Sequence, residues 1–334
     1  MTSIKRRDVL ASGLAALSAS ALLPRGAGAQ AKYPDRPVRL IVPFPPGGAY
    51  DTIGRPWADR IKKHLGTVVV ENIGGAGGGV GAAQASRSRP DGYTLLLGGA
   101  TTHITEALLK TKPTFDPLKD LEPISPVAVT AFAIAVHPSV PVKNLKELIA
   151  HVKANPGKMS YGSAGHGSLN HLTGELFKLR TGLTDFPHVP YRGAGPGLID
   201  LLSGQIPVLV LVPAMTNIVL EHHRAGKLRV LAVTHGKRLA AAPELPTGVE
   251  QGFTDLVAPN FIGIYAPAGL PRDIVNTVSA ANLKLLAEKS YQELLVSRTF
   301  ELEPLSSPAE YKRYVESEIA RWRPIVTAMG IKID

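Results

Sequence analysis

Two glycine-bearing loops hold the residue types best suited to chemistry. Pro43-Phe44-Pro45-Pro46-Gly47-Gly48-Ala49-Tyr50-Asp51 follows an apolar run and opens an amphipathic stretch. Glycine at 47 and 48 lets the backbone approach a ligand, and the free amides and positive end of a helix favour an anion. Tyr161-Gly162-Ser163-Ala164-Gly165-His166-Gly167-Ser168 repeats the arrangement, with Ser168 placed to cap a helix carrying Leu169, Leu172, Leu176 and Leu179. Each loop alone reads equally well as a tight turn. As a pair they can hold one carboxylate between them without an arginine. His166 and His171 flank the second loop, either as ligand contacts or as solvated and packing side chains.

A third run, Gly74-Gly75-Ala76-Gly77-Gly78-Gly79-Val80-Gly81-Ala82, fits the loosest dinucleotide fingerprint, but the strand before it is not the first of a sheet. Asp91, moreover, precedes a strand where a ribose-binding acid should end one. Enzyme signatures are missing. Neither Ser163 nor Ser168 lies in G-x-S-x-G, because Tyr161 and His166 stand two residues before them. No phosphate-binding G-x-x-x-x-G-K-[ST] occurs, and the ten histidines contain no H-E-x-x-H. With no cysteine, a zinc site would need histidines and carboxylates brought from afar. The expectation is a binding protein with no catalytic residue, cofactor or metal.

The elements that must position these loops alternate between strand and helix. Val38 to Val42, Val68 to Val70, Thr94 to Leu97, Phe132 to Val136, Lys158 to Tyr161, Ile206 to Val212, Leu228 to Thr234 and Phe261 to Tyr265 are strand candidates. Ile53, Trp57, Ile61 and Leu65 recur at helical spacing; Pro56 is not fatal there if the helix starts near Asp51, because the first amide groups of a helix have no intrahelical partner. The alternation predicts an α/β fold with open, mostly parallel sheets. Phe132 to Pro138 with Pro141, and Phe261 to Pro267 with Pro271, are two strand–proline–helix units that echo each other. They read as two crossings between lobes: residues 31–133 and 248–334 form one, 134–247 the other.

The first 29 residues read as an export signal. Lys5-Arg6-Arg7 precedes an Ala/Ser-rich apolar stretch too short to span a membrane, and Ala27-Gly28-Ala29 offers cleavage after Ala29. The paired arginines, the modest hydrophobicity and Arg25 favour the twin-arginine route. Removal takes four of 37 basic and one of 27 acidic residues, so the remainder stays basic. Its charges are scattered, without a Lys/Arg run interleaved with aromatics, which suits anionic solutes and argues against nucleic acid. Without disulfides the chain is held by its core alone, and some 300 residues can bury one in two domains.

Taken together, Tyr33-Pro34-x-Arg36-Pro37, Pro43-Phe44-x-Pro46-Gly47-Gly48-x-x-Asp51 with Arg55, Pro90-Asp91-Gly92-Tyr93-Thr94-Leu95, Ser163-x-Gly165-x-Gly167-Ser168, Val189-Pro190-Tyr191-Arg192-Gly193 and Ala266-Pro267-Ala268-Gly269-x-Pro271 are similar in order and spacing to one family. The chain resembles, over essentially all of residues 30–334, the extracytoplasmic (Bug-type) receptors of tripartite tricarboxylate transporters. The resemblance implies a two-lobe, type II-like periplasmic binding fold with two crossovers, a small carboxylate ligand, and a monomer that meets integral-membrane transporter subunits. Carried over residue by residue, it places Phe44, Gly47, Gly48, Asp51, Ser163, Gly165, Gly167 and Ser168 at the ligand, with Asp51 as a helix cap and loop brace because two anions repel. Thr101, Thr102, His171, Tyr191 and Arg192 complete the expected wall. Ile206-Pro207-Val208 stands where the family usually has an acid, and Phe261 where a tryptophan is common; both departures bear on which carboxylate binds. Two other functions share these features: a ligand-loaded sensor for a membrane kinase, and a periplasmic hydrolase built on Ser168 and His171.

Overall fold

The computed structural model of the protein describes residues 33–212 and 218–333. The chain divides into two units, Met1–Asp35 and Arg36–Asp334, and the fold below is that of the second. The export segment expected at residues 1–29 lies outside the described residues. In chain order the strands are β1 (Val38–Val42), β2 (Val68–Asn72), β3 (Thr94–Gly99), β4 (Leu121–Thr130), β5 (Ala133–Val136), β6 (Tyr161–Ser163), β7 (His188–Pro190), β8 (Val208–Leu211), β9 (Arg229–Val233) and β10 (Asn260–Pro267). They build two sheets, ordered β2-β1-β3-β10-β4 and β7-β6-β8-β5-β9. This is the two-lobe α/β architecture of periplasmic binding proteins.

Each sheet is mixed. β1 runs parallel to β2 and β3, and β6 parallel to β7 and β8. β10 is antiparallel to both of its neighbours, as is β5. The reason is the route of the chain. β5 and β10 are the strands by which it enters each sheet from the other, so they start where the parallel strands end and run the opposite way. The first crossing is only Ala131-Phe132 long. The second follows β9, and the two are tied to each other: Thr234 donates its amide to the Phe132 carbonyl at 2.8 Å, the Phe132 amide donates to Thr234 Oγ1 at 3.1 Å, and the Ala258 amide donates to the Thr234 carbonyl at 2.9 Å.

The helices are α1 (Ala49–Arg60), α2 (Lys62–Leu65), α3 (Gly79–Ser86), α4 (Ala100–Ile104), α5 (Leu145–Ala154), α6 (Leu169–Thr181), α7 (Ala194–Ser203), α8 (Ile218–Arg224), α9 (Arg272–Leu286), α10 (Lys289–Ser297) and α11 (Pro308–Met329). Periodicity anticipates the buried face of α1 and α2: Ile53, Trp57, Ile61 and Leu65 are all in the core, each such burial contributing about 1.5–3 kcal/mol. Trp57 Nε1 donates to Asn282 Oδ1 on α9 at 2.7 Å, and Asn282 donates on to Ser125 Oγ on β4 at 2.8 Å. The start of α1 differs from expectation. It begins at Ala49, so Pro56 lies inside it and leaves the Thr52 carbonyl, four residues back, without an amide. Arg298 fills that vacancy, donating Nη1 to Thr52 O at 2.5 Å.

β4 and the short β7 are the strands missing from the sequence-based candidates, and in β4 the cause is Pro123 and Pro126, which argue against any strand. β4 lies at the sheet edge, and both prolines sit at register shifts against β10, where the ladder can spare an amide. The second sheet packs its own core, with Leu201, Leu209, Leu211, Leu228 and Val233 among its members.

Candidate functional site

In both sheets the loops singled out by sequence leave the carboxyl ends of parallel strands, where open α/β sheets place ligands. On the first sheet these are residues 43–48 after β1, the glycine run after β2, and the turn into α4 after β3. On the second they are residues 164–168 after β6 and Tyr191–Gly193 after β7. The loop after β8 falls on residues 213–217, which are outside the described residues.

Asp51 braces the first loop, as expected from charge. Its carboxylate accepts from the Gly47 amide at 2.9 Å, from Arg55 Nε at 3.0 Å and from Asn72 Nδ2 at 2.9 Å, while Asn72 also donates to the Phe44 carbonyl at 3.0 Å. Burial alone would raise the Asp51 pKa; the Gly47 amide, Arg55 and Asn72 outweigh it and hold the carboxyl below its usual range. Asp51 is not the cap, which is Gly48. Gly47 carries the positive φ of +82°, whereas Gly48 is extended at −75°. The Gly47 amide is therefore spent on Asp51. The amides of Gly48, Ala49 and Tyr50 take no hydrogen bond among the described residues, so the anion-attracting end of α1 begins one residue later than the loop pattern suggests.

The glycine run, given no role by its motif, forms the neighbouring wall. A Cβ on Gly78 would lie 2.8 Å from Thr102 Cγ2 and 2.9 Å from Phe44 Cζ. Only glycine lets the three loops close up. Phe44 stacks at a tilt on Tyr50, with ring centroids 4.5 Å apart. Of the two threonines, Thr102 is buried and its Oγ1 exchanges hydrogen bonds with the Gly99 amide and carbonyl at 3.1 and 3.0 Å, so Thr101, half-buried beside Tyr50, is the one left facing the loops. Tyr50 Oη is buried next to Thr101; burial pushes its pKa up, against an opposing pull from the side chain and backbone of Thr101.

In the second loop Ser168 caps α6, accepting from the His171 amide at 3.3 Å and donating to the Gly165 carbonyl at 2.7 Å. Ser163 is fully buried; its Oγ accepts from the Gly165 amide at 3.1 Å and lies 2.7 Å from His188 Nε2. The Gly167 amide donates to His171 Nδ1 at 3.2 Å. The amides of Gly165 and Gly167 are thus engaged inside their own loop, by a serine hydroxyl and an imidazole. The open amides here are those of Leu169 and Asn170, the first residues of α6. The hydrolase pairing of Ser168 with His171 is not built either, since Ser168 meets the backbone of His171 and not its ring.

Tyr191 joins this wall. Its amide donates to the Ser163 carbonyl at 3.1 Å, its Oη to Asp200 Oδ2 at 2.8 Å, and its ring lies where a Cβ on Gly162 would fall. Arg192 is exposed. Phe261 and Ile206 are buried, Phe261 edge-on to Tyr314 at 5.4 Å and Ile206 in the second core. Neither lines the cavities described below.

The two walls meet at Gly167. Thr105, in the π-helical turn Thr105–Leu109, donates Oγ1 to the Gly167 carbonyl at 3.0 Å, and the C-terminal Ile333 packs where a Gly167 Cβ would stand. A cavity of about 470 Å³ lies at this junction, lined by Ala76, Gly77, Thr105, His166, Gly167 and Ile333 among others. It brings together the glycine run and Gly167; Phe44, Gly47, Gly48 and Ser163 stay outside its lining. A second cavity, of about 520 Å³, is lined by His166, His171, Glu175 and His188 together with residues 330–332. His188, which no motif marks, reaches the site because β7 pairs Tyr161 with it across the sheet.

Residues 53–331 match the family described as "Tripartite tricarboxylate transporter family receptor". The chain is 35% identical to protein BugT of Bordetella pertussis over 304 residues, covering 90% of this chain and 91% of that one. Among solved structures it is similar to Rpa4515 of R. palustris with adipate (33% identity, TM-score 0.82, covering 90% of this chain and 99% of that one). It is also similar to MatC of Rhodopseudomonas palustris with bound malate (28% identity, TM-score 0.78, covering 88% and 100%).

Proposed function

The chain belongs to the tripartite tricarboxylate transporter receptor family, and on that premise we propose that it captures a small carboxylate between the loop faces of its two sheets and delivers it to an integral-membrane transporter. One observation carries the reading. The amino ends of α1 and α6, with open amides at Gly48, Ala49 and Tyr50 and at Leu169 and Asn170, both stand at the carboxyl ends of parallel strands, one on each sheet. An anion there meets two positive helix ends and uncommitted donors. Phe44, Thr101 and Tyr191 supply the wall around it, Asp51, Gly47, Ser163, Gly165, Gly167 and Ser168 set the loops, and Arg192 stands exposed at the rim. The protein acts as a monomer in the periplasm. No helix among the described residues is long and apolar enough to cross a membrane.

A thermal-melting screen over mono-, di- and tricarboxylates, including the adipate and malate bound by relatives, tests the reading. A true ligand at 1,000 times its Kd adds about 4 kcal/mol of stability. If no carboxylate raises the melting temperature, the reading fails. Export has its own test: Arg6→Lys with Arg7→Lys should hold the precursor in the cytoplasm, because the translocase reads paired guanidinium groups and not charge alone. Periplasmic delivery of that variant would rule out the twin-arginine route.

A further inference from the structure

The carboxylate reading takes only His171, as an expected wall residue, from a cluster of three imidazoles. His166 lies in the loop after β6, His171 in the first turn of α6, and His188 opens β7. Parallel pairing of β7 with β6, and the cap of α6 by Ser168, bring them together. One ring nitrogen of each lies within 4.8 Å of the others. The rings of His171 and His188 stack with centroids 3.9 Å apart, and His166 stands 4.9 Å from His171. All three line the second cavity.

We propose that His166, His171 and His188 form a binding site for a divalent transition-metal cation, with a fourth position open to water or an anion. Neutral imidazole is the donor that zinc, copper and nickel favour, and three imidazoles with one open position is a recurrent arrangement for zinc. Metal–nitrogen bonds of about 2.0–2.1 Å put ligand atoms roughly 3.4 Å apart, so the widest pair of nitrogens must close by about 1.4 Å and the stacked pair must turn. Exposed His166 is free to move in. His188 has the second hydrogen bond such ligands use to fix their orientation, through Nε2 to Ser163 Oγ. At His171 the 3.2 Å contact from the Gly167 amide is the one a cation at Nδ1 displaces.

Charge at the site is compatible with a cation. Lys178 is paired with Glu175 at 2.9 Å, and Lys332 donates to the Leu108 carbonyl at 3.0 Å. Glu175 itself lines the cavity and contributes a negative charge.

The test uses the signal-free chain without a histidine tag, stripped with chelator and titrated with Co²⁺, then competed with Zn²⁺ in a calorimeter. One equivalent of Co²⁺ should bind and give the intense visible band of a four-coordinate site. His166→Gln and His188→Gln should each weaken Zn²⁺ binding tenfold or more, whereas His151→Gln and His222→Gln should leave it unchanged. His166 is exposed, so its variant keeps the fold even if His188→Gln does not. Absence of stoichiometric binding overturns the proposal. So does a site that survives His166→Gln, or one that is lost with His222→Gln.

Discussion

His103 sits at full burial behind the first loop. Its Nδ1 lies 3.1 Å from the Gly99 carbonyl and 3.0 Å from Thr102 Oγ1, and Nε2 has no partner among the described residues, so the neutral ring with its proton on Nδ1 fits the pocket. Burial lowers its pKa to about 4, against a partly compensating bond that the ring donates to the Gly99 carbonyl. The unfolded chain binds a proton there near 6.5 and the folded chain does not. Stability should therefore be level above pH 6.5, fall as pH drops from 6.5 towards 4, and level off below. The loss at pH 4 is up to about 3 kcal/mol. Urea melts across that range should show this slope together with that of the buried His171 and His188, and His103→Asn, which keeps a donor near Nδ1, should reduce it without abolishing it; an unchanged slope would mean that His103 contributes nothing to the acid sensitivity. The glycine loops were readable from residue types. What sequence could not reveal is which amides remain open, because Asp51, Ser163 and His171 take those of Gly47, Gly165 and Gly167 through side-chain geometry that exists only after folding.

Helix α1 shows how an element tolerates a break in its own rule. Pro56 removes one intrahelical bond, and Arg298, from the end of α10, restores the satisfaction of Thr52 from outside. Arg298→Met should cost about 1–3 kcal/mol, the penalty for orphaning a carbonyl plus a charge-assisted bond. Pro56→Ala supplies the missing amide, so it should rescue the Arg298→Met variant while doing much less in the parent. A double-mutant cycle measured by denaturant melting decides; strict additivity would mean that Arg298 acts through its other contacts. The buried stripe of α1 was legible because 3.6-residue periodicity survives any cap. Its first residue was not, since the proline suggested a later start. β4 escaped for a related reason: its prolines are acceptable only at an edge with register shifts, and edges are a property of the assembled sheet.

Across the whole molecule, the two sheets are joined by the paired crossings at Phe132, Thr234 and Ala258 and by Thr105 and Ile333 against Gly167. An anion that uses donors from both walls favours their approach, so ligand should reduce the radius of gyration in small-angle scattering. Thr105→Val removes one hydrogen bond between the walls, worth about 0.5–1.5 kcal/mol. Its ligand-free form should be the more expanded, and saturating carboxylate should bring it back to the parent's bound profile. Equal profiles for parent and variant without ligand would show that the Thr105 contact does not restrain the walls. The crossings also set an order of assembly. The second sheet is made from consecutive strands, β5 to β9, whereas β4 of the first has β10 as its sheet neighbour and must wait for it. As the chain leaves the ribosome, the later-made half can therefore finish folding first, with the earlier half held open at an unpaired edge until Asn260–Pro267 emerges to close it.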